Sequence, residues 1–243
     1  MKTIKLITIF ALAITTVISA CKKEEEENPI VIPVQTTVQT QISLAGASDF
    51  AVLAGSSITN TGGTTITGDL GLSPGSSIGG FPPGELTGTQ HINDIIANQA
   101  KLDLTAAYND AAGRICTDMV TLSGNIGGLT LTPGLYKSTS SLSISSGDLT
   151  FDANGDENAV FIIQIASTFT TTSGRKIILS DGAKASNIYW QVGSSVTIGT
   201  TSVIKGTFMV MQSITLNTGA SLDGKLLAAN GAITLADNTI VKQ

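Results

Sequence analysis

Threonine is the residue type whose spacing in this chain could do chemistry. Val196-Thr197-Ile198, Ile214-Thr215-Leu216 and Ile233-Thr234-Leu235 repeat one apolar-Thr-apolar triplet at intervals of 18 and 19 residues. That interval suits one coil of a β-solenoid with three short strands per turn, in which equivalent side chains of stacked coils fall into columns. A column of threonines is an ordered surface of hydroxyl and methyl groups, suited to adsorption rather than to bond making. The groups that make and break bonds are dispersed. Asp148, Asp152, Asp181, Asp223 and Asp237 are scattered through corners and strand ends, whereas solenoid lyases and hydrolases need carboxylates or basic groups gathered around a cleft. His91 stands alone at the expected start of a helix. Cys116 has no His or second Cys near it in sequence and reads as a small apolar residue. There is no zinc spacing, nucleophile elbow or phosphate loop. Gly68-Asp69-Leu70-Gly71 lacks the calcium-binding nonapeptide, and Asp152-Ala153-Asn154-Gly155-Asp156-Glu157 reads as an acidic turn. The expectation is a non-enzyme with no catalytic residue, no metal and no cofactor.

Composition suits the elements that would hold such columns. The chain has 243 residues, 42% of them hydrophobic, with 26 glycines for tight corners, enough for one main domain with a sizeable core. Only 13% of residues are charged, about half the usual share, so much of the exposed surface must be uncharged Thr, Ser, Asn, Gly and Ala. A net charge of −5 without a Lys/Arg cluster argues against nucleic acid as a partner. Lys2 and Lys5 precede an apolar run from Leu6 to Ile18, and Ile18-Ser19-Ala20-Cys21 resembles a bacterial lipobox. Residues 1–20 therefore read as a lipoprotein signal peptide and Cys21 as the lipidated new N-terminus, the one point of membrane contact. Lys22-Lys23-Glu24-Glu25-Glu26-Glu27 and the Val/Thr/Gln stretch after it read as a flexible acidic tether over 21–42. The expected location is extracytoplasmic, on the bacterial outer membrane, with surface exposure and a periplasmic position both open. With Cys21 acylated, Cys116 has no disulfide partner.

Within the domain at 43–243, one stretch breaks the β pattern. Ile92, Ile95, Ile96, Ala100, Leu102, Leu104, Ala107, Tyr108 and Ala111 recur at helical spacing, and the spacing predicts one long amphipathic helix over about 91–113. Val160-Phe161-Ile162-Ile163, Ile188-Tyr189-Trp190, Phe208-Met209-Val210-Met211 and Leu226-Leu227-Ala228-Ala229 are apolar on both alternations. That sheet face must be covered on its outer side, and the helix is the cover. The other two faces alternate apolar with Thr, Ser, Asp or Lys and meet water. Aligning the last coils points Ile198, Leu216 and Leu235 inward, followed six positions later by Ile204, Leu222 and Val241. Thr200, Thr218 and Asp237 then share a corner, with Val203, Ser221 and Ile240 beside them and Thr65 and Thr67 facing out. Thr59, Thr197, Thr215 and Thr234 form a second outward column.

Ala47-Ser48-Asp49-Phe50-Ala51-Val52-Leu53-Ala54, Thr67-Gly68-Asp69-Leu70-Gly71, Leu131-Thr132-Pro133-Gly134-Leu135-Tyr136, Asn158-Ala159-Val160-Phe161, Trp190-Gln191-Val192-Gly193-Ser194-Ser195 and Gly231-Ala232-Ile233-Thr234-Leu235 resemble, in the same order, the microbial ice-binding proteins built on a discontinuous β-solenoid. The likeness runs from about residue 43 to 243. It implies a right-handed parallel β-helix of triangular section, a long helix packed alongside, and adsorption to ice through one flat face. The family's ice-contacting motif is Thr, Ala or Gly, any residue, then Thr or Asn. Thr218-Gly219-Ala220-Ser221 keeps it apart from the final serine, and Thr61-Gly62-Gly63-Thr64 matches in letters, one residue out of the aligned register.

These motifs imply ice contact through Thr65, Thr67, Thr200, Thr218 and Ser221, with Thr59, Thr197, Thr215 and Thr234 as the competing face. Stacked strands repeat outward groups about every 4.8 Å, close to the oxygen repeat of some ice planes. Thr adds a hydroxyl for the water network, a methyl, and restricted rotamers. The expected partner is an ice crystal, met by a monomer. The rival reading is a surface adhesin or scaffold that binds glycans. It would want exposed aromatics, whereas the chain is 5% aromatic and Trp190 and Phe208 fall on the covered face.

Overall fold

The computed structural model describes residues 32–243. The expected signal peptide, Cys21 and the first half of the expected tether fall outside these residues. Short parallel strands wind into a right-handed β-helix of three sheets, one with 12 strands, one with 8 and one with 3. Two eight-residue strands, Val203–Val210 and Ser221–Ala228, turn a corner of the triangle without a break. They do so at Gly206 and Gly224, both at positive φ, and a Cβ on Gly224 would lie 2.0 Å from the Gly206 carbonyl oxygen.

Chain order and spatial order differ. The strand Phe50–Ala54 pairs with Ser221–Ala228 on one side and Asp69–Leu72 on the other, so the last coils stack on the first. Between Gln90–Ile92 and Val120–Thr121 the chain must travel back along eight strand spacings, about 38 Å at about 4.8 Å each. The helix Ile95–Gly113 covers about 28 Å of this in its 19 residues, and residues 114–119 complete the distance. It is the return limb of a discontinuous solenoid.

The helix starts four residues later than its apolar spacing predicts. His91 lies in the strand Gln90–Ile92, and Asp94 caps the helix by accepting the Ala97 amide at 2.8 Å. Ala97, Ala100, Leu104, Ala107, Tyr108 and Ala111 form the buried side, against Leu135, Ile162, Tyr189, Met209 and Leu227. Ile95, Ile96 and Leu102, expected in that stripe, are exposed, Ile95 by 85%. Small alanines let the helix lie close to the sheet, and the larger residues sit on its far side. Gln191 donates to the Tyr108 hydroxyl at 2.6 Å, and Gln164 donates to the carbonyls of Ala111 and Arg114 at the helix end.

Trp190 and Phe208 lie on strands of the covered sheet, but their rings point into the solenoid. Tyr189 and Met209 face the helix instead. Trp190 stacks on Phe208 with centroids 5.3 Å apart, lies 4.8 Å from Phe169, and meets Phe151 edge-on. Its indole donates to the Lys205 carbonyl at 3.1 Å.

Residues 36–42, placed in the tether by sequence, lie against the domain. The Thr36 and Thr37 amides donate to Asp118 at 2.6 and 2.8 Å, and Ile42 is buried under the helix. Hydrogen bonds from Thr37 and Thr36 hold the Asp118 carboxyl well below the usual carboxylate range. Polarity misled the sequence reading here, because hydrogen bonds from the Thr36 and Thr37 amides hold this polar stretch in place beside the buried Ile42.

Lys101 ties the helix to the solenoid by donating to the carbonyls of Ala228 and Ala229. Desolvation pushes its amine down to about 8, and Lys225, similarly buried, down to about 8 as well. Between that value and the unfolded pKa of 10.5 the unfolded chain binds more protons than the folded one. Stability therefore rises with pH across this window and is lower on the neutral side. Burial of Tyr108, Tyr136 and Tyr189 raises their hydroxyls, which reverses the slope above about pH 10. Tm measured against pH should climb from about 8 to a maximum near pH 10, and Lys101→Met should flatten the climb.

Candidate functional site

The 8-stranded sheet presents a row of outward side chains in direct register. Asn125, Ser143, Thr170, Thr197, Thr215, Thr234, Thr59 and Gly79 are successive partners from one end to the other. Five consecutive threonines form its centre, about 19 Å long at about 4.8 Å per step. Thr59, Thr170, Thr197 and Thr234 are exposed and Thr215 is half-buried. The Thr59 and Thr234 hydroxyl oxygens lie 3.5 Å apart. Beneath the row, Ile58, Ile233, Leu235, Ile214, Leu216, Val196, Ile198 and Phe169 all point into the core, which fixes which way the threonines face.

The row is flanked by Ser195, Ser213 and Ala232 on one side and Gly199, Asn217 and Ala236 on the other. None of the eight strands contains Asp, Glu, Lys or Arg. Such a surface is flat, uncharged and built from short side chains with little rotamer entropy to lose. It offers no acid–base pair and no concave pocket, so its physical capability is adsorption.

Thr59, Thr197, Thr215 and Thr234 are thus brought together as one column. Thr170 and Ser143 extend it and were missed, because each stands 27 residues before the next member of the row rather than 18 or 19. The signal was present as Leu142-Ser143-Ile144 and Phe169-Thr170-Thr171, at the pitch of wider coils.

Thr65, Thr67, Thr200, Thr218 and Ser221 are divided between two places. Thr200 and Thr218 are exposed at the corner. Ser221 lies on the neighbouring face, separated by Thr239 from Thr65. The next column of that face runs Lys205, Asp223, Val241, Thr67 and Thr87. Lys205 and Asp223 form an ion pair at 3.4 Å, Glu85 stands beside Thr65, and a shallow groove opens along Val203, Asp223 and Val241.

Two details of the aligned register differ from expectation. Ile240, not Val241, points inward opposite Leu222, and Val241 is 40% exposed. The last corner is one residue shorter than its neighbours, which shifts every later position by one. In Thr61-Gly62-Gly63-Thr64, which matches the family motif in letters, Thr64 is fully buried and its hydroxyl accepts the Asn238 amide at 3.0 Å.

His91, the one histidine, stands 2.8 Å from the Asp94 carboxylate and 4.0 Å from that of Asp69. It clamps the helix start to the neighbouring strand. Among the described residues no group of three His, Cys, Asp or Glu side chains could hold a metal ion.

The protein-family model described as ice-binding-like matches residues 52–241. An ice-binding protein of Nostoc sp. (strain HG1) is 46% identical over 201 residues, covering 82% of this chain and 74% of its own length. One of Flavobacterium frigoris (strain PS1) is 38% identical over 213 residues, covering 82% and 75%. The crystal structure of an ice-binding protein from an Antarctic biological consortium superposes with a TM-score of 0.86 at 71% identity, covering 87% of this chain and 95% of that one.

Proposed function

The chain belongs to the ice-binding-like family, and from that premise we propose that it adsorbs to ice through the face centred on Thr170, Thr197, Thr215, Thr234 and Thr59. The observation that carries this choice is the unbroken, charge-free register of that row. On the neighbouring face a Lys–Asp pair, a glutamate and a groove interrupt the plane. Strongly hydrated ions hold water in arrangements that do not match a crystal, so the threonine face is the better template.

The row orders water in two ways. Hydroxyls join the hydrogen-bond network, while methyls leave the neighbouring water few orientations other than those of the lattice. Each contact is weak, but the rigid strands present all of them at once, so adsorption carries little ordering cost. Ice then grows only as curved fronts between adsorbed molecules. Curvature lowers the local freezing point, which produces thermal hysteresis and suppresses recrystallisation. A face that acts in this way needs no catalytic group and no second subunit, and we assign the protein as a monomer.

The reading is tested by ice-affinity partitioning of residues 32–243. The protein should concentrate in slowly grown ice. A glycan-binding adhesin would stay in the liquid, and such a protein wants aromatic platforms, whereas Trp190 and Phe208 are fully buried.

Lipid attachment at Cys21 would display this face outside the cytoplasm, on the outer membrane. The support is the signal-like run and the lipobox pattern before Cys21. In a bacterial host able to process lipoproteins, wild-type protein should fractionate with the outer membrane. Cys21→Ser should leave it there no longer, with ice binding of the domain unchanged. Equal membrane retention of both proteins would refute the anchor.

A further inference from the structure

We infer that Asn238 is a positioning residue of the ice-contacting face: its buried side-chain amide replaces a peptide group missing from the last corner and keeps the Thr234 strand in line. This rests on the assignment of the threonine face above. From the outward threonine of one face to the paired residue of the next, three coils use the same number of steps: Thr197 to Val203, Thr215 to Ser221, and Thr59 to Thr65. The coil stacked between the last two of these, Thr234 to Thr239, uses one fewer. Yet Thr234 pairs directly with Thr215 and Thr59, and Thr239 with Ser221 and Thr65. The short corner therefore spans the same gap with less chain.

The two preceding coils close their corners with backbone bonds, Ser202 N–H to Gly199 O at 3.2 Å and Ala220 N–H to Asn217 O at 3.1 Å. In the short corner Asp237 takes a positive φ of 49°, a conformation Asp tolerates, and turns Asn238 inward to 1% exposure. The Asn238 Oδ1 accepts the Ala236 amide at 2.6 Å. Its Nδ2 donates to Asn217 O and Ala220 O, each at 3.0 Å, and its backbone N–H donates to the Thr64 hydroxyl at 3.0 Å. The side chain thus joins its own coil to the preceding one, and the backbone N–H of the same residue reaches the coil on the other side. Removing the side chain strips the Ala236 amide of that acceptor and takes one of two hydrogen bonds from each of the Asn217 and Ala220 carbonyls. The relief open to the chain is a one-residue slip, which would turn Thr234 away from water and split the five-threonine row.

The test measures thermal hysteresis and far-UV circular dichroism, near the freezing point, for four proteins: wild type, Thr215→Tyr, Asn238→Ala and Gln164→Ala. Gln164 is also a buried amide with three backbone partners, but it lies under the helix. Asn238→Ala should keep its β signal and lose most of its hysteresis, while Gln164→Ala keeps wild-type hysteresis. Wild-type hysteresis in Asn238→Ala, or equal loss in Gln164→Ala, would overturn the inference. If Asn238→Ala does not fold, a second variant decides, with one Ser inserted after Asp237 in the Asn238→Ala chain. That corner regains the length of its neighbours, and folding and hysteresis should return. Failure of either overturns the proposal. An inactive wild type would instead refute ice binding, and an active Thr215→Tyr would refute the choice of face.

Discussion

Thr215→Tyr is expected to lose nearly all thermal hysteresis while its stability stays within about 0.5 kcal/mol of wild type. Thr215 occupies the middle of the five-threonine row, with Thr197 and Thr234 as direct strand partners. Its side chain faces outward between the buried Ile214 and Leu216, so a phenol ring there disturbs no core packing. The ring stands well above its neighbours and holds the flat surface away from a crystal along much of the row. Thr67→Tyr is the matched control. Thr67 is equally an outward strand threonine, but it lies between Val241 and Thr87 on the face that carries the ion pair. It should keep wild-type hysteresis and crystal shaping. The reverse pattern would move the ice-contacting surface to that face. Loss in neither variant would mean that both threonine columns serve only the strands.

The second large effect is on stability. Trp190→Ala should destabilise the domain by about 3–5 kcal/mol, a fall in Tm of roughly 6–20 °C for a domain of this size. Trp190 is fully buried, and its ring touches those of Phe151, Phe169 and Phe208, which belong to three different strands. Removing it opens a cavity where the wide coils narrow, and the Lys205 carbonyl loses its indole donor. Trp190→Phe retains most of the packing and should cost less than half as much. Thermal unfolding followed by circular dichroism checks both. An alanine variant that melts with wild type would mean the aromatic stack does not support the coil. Phe169 lies in that stack and also in the strand that carries Thr170. Where Trp190→Ala remains folded near the freezing point, its hysteresis should still depend on Thr215.

The narrow coils were legible in the sequence because their length barely varies. Thr197, Thr215 and Thr234 announce a column, and both the solenoid and its covered face follow from apolar patterning. The wide coils were not legible in the same way. They carry the extra strands Thr130–Leu131, Leu149–Asp152 and Ile177–Ser180, which stretch the repeat and hide Thr170 and Ser143. The misplaced inward position, Val241 for Ile240, has a different origin. A side-chain amide at Asn238 does the work of a residue, and letter spacing cannot register that substitution. Ile92, Ile95 and Ile96 lengthened the predicted helix because apolar residues in an edge strand and on an exposed first turn fall by chance into helical spacing. The motif Thr61-Gly62-Gly63-Thr64 misled for a related reason. Identical letters at a corner place Thr64 inside, where its hydroxyl holds the backbone of the next coil.

The most direct measurement is the uptake of fluorescently labelled protein into a single ice crystal grown slowly from dilute solution. Wild type and Thr67→Tyr should enter the ice and mark a restricted set of planes, while Thr215→Tyr should be pushed ahead of the growing front. Uptake of Thr215→Tyr on the same planes as wild type, or exclusion of the wild-type protein, would contradict adsorption through the threonine row.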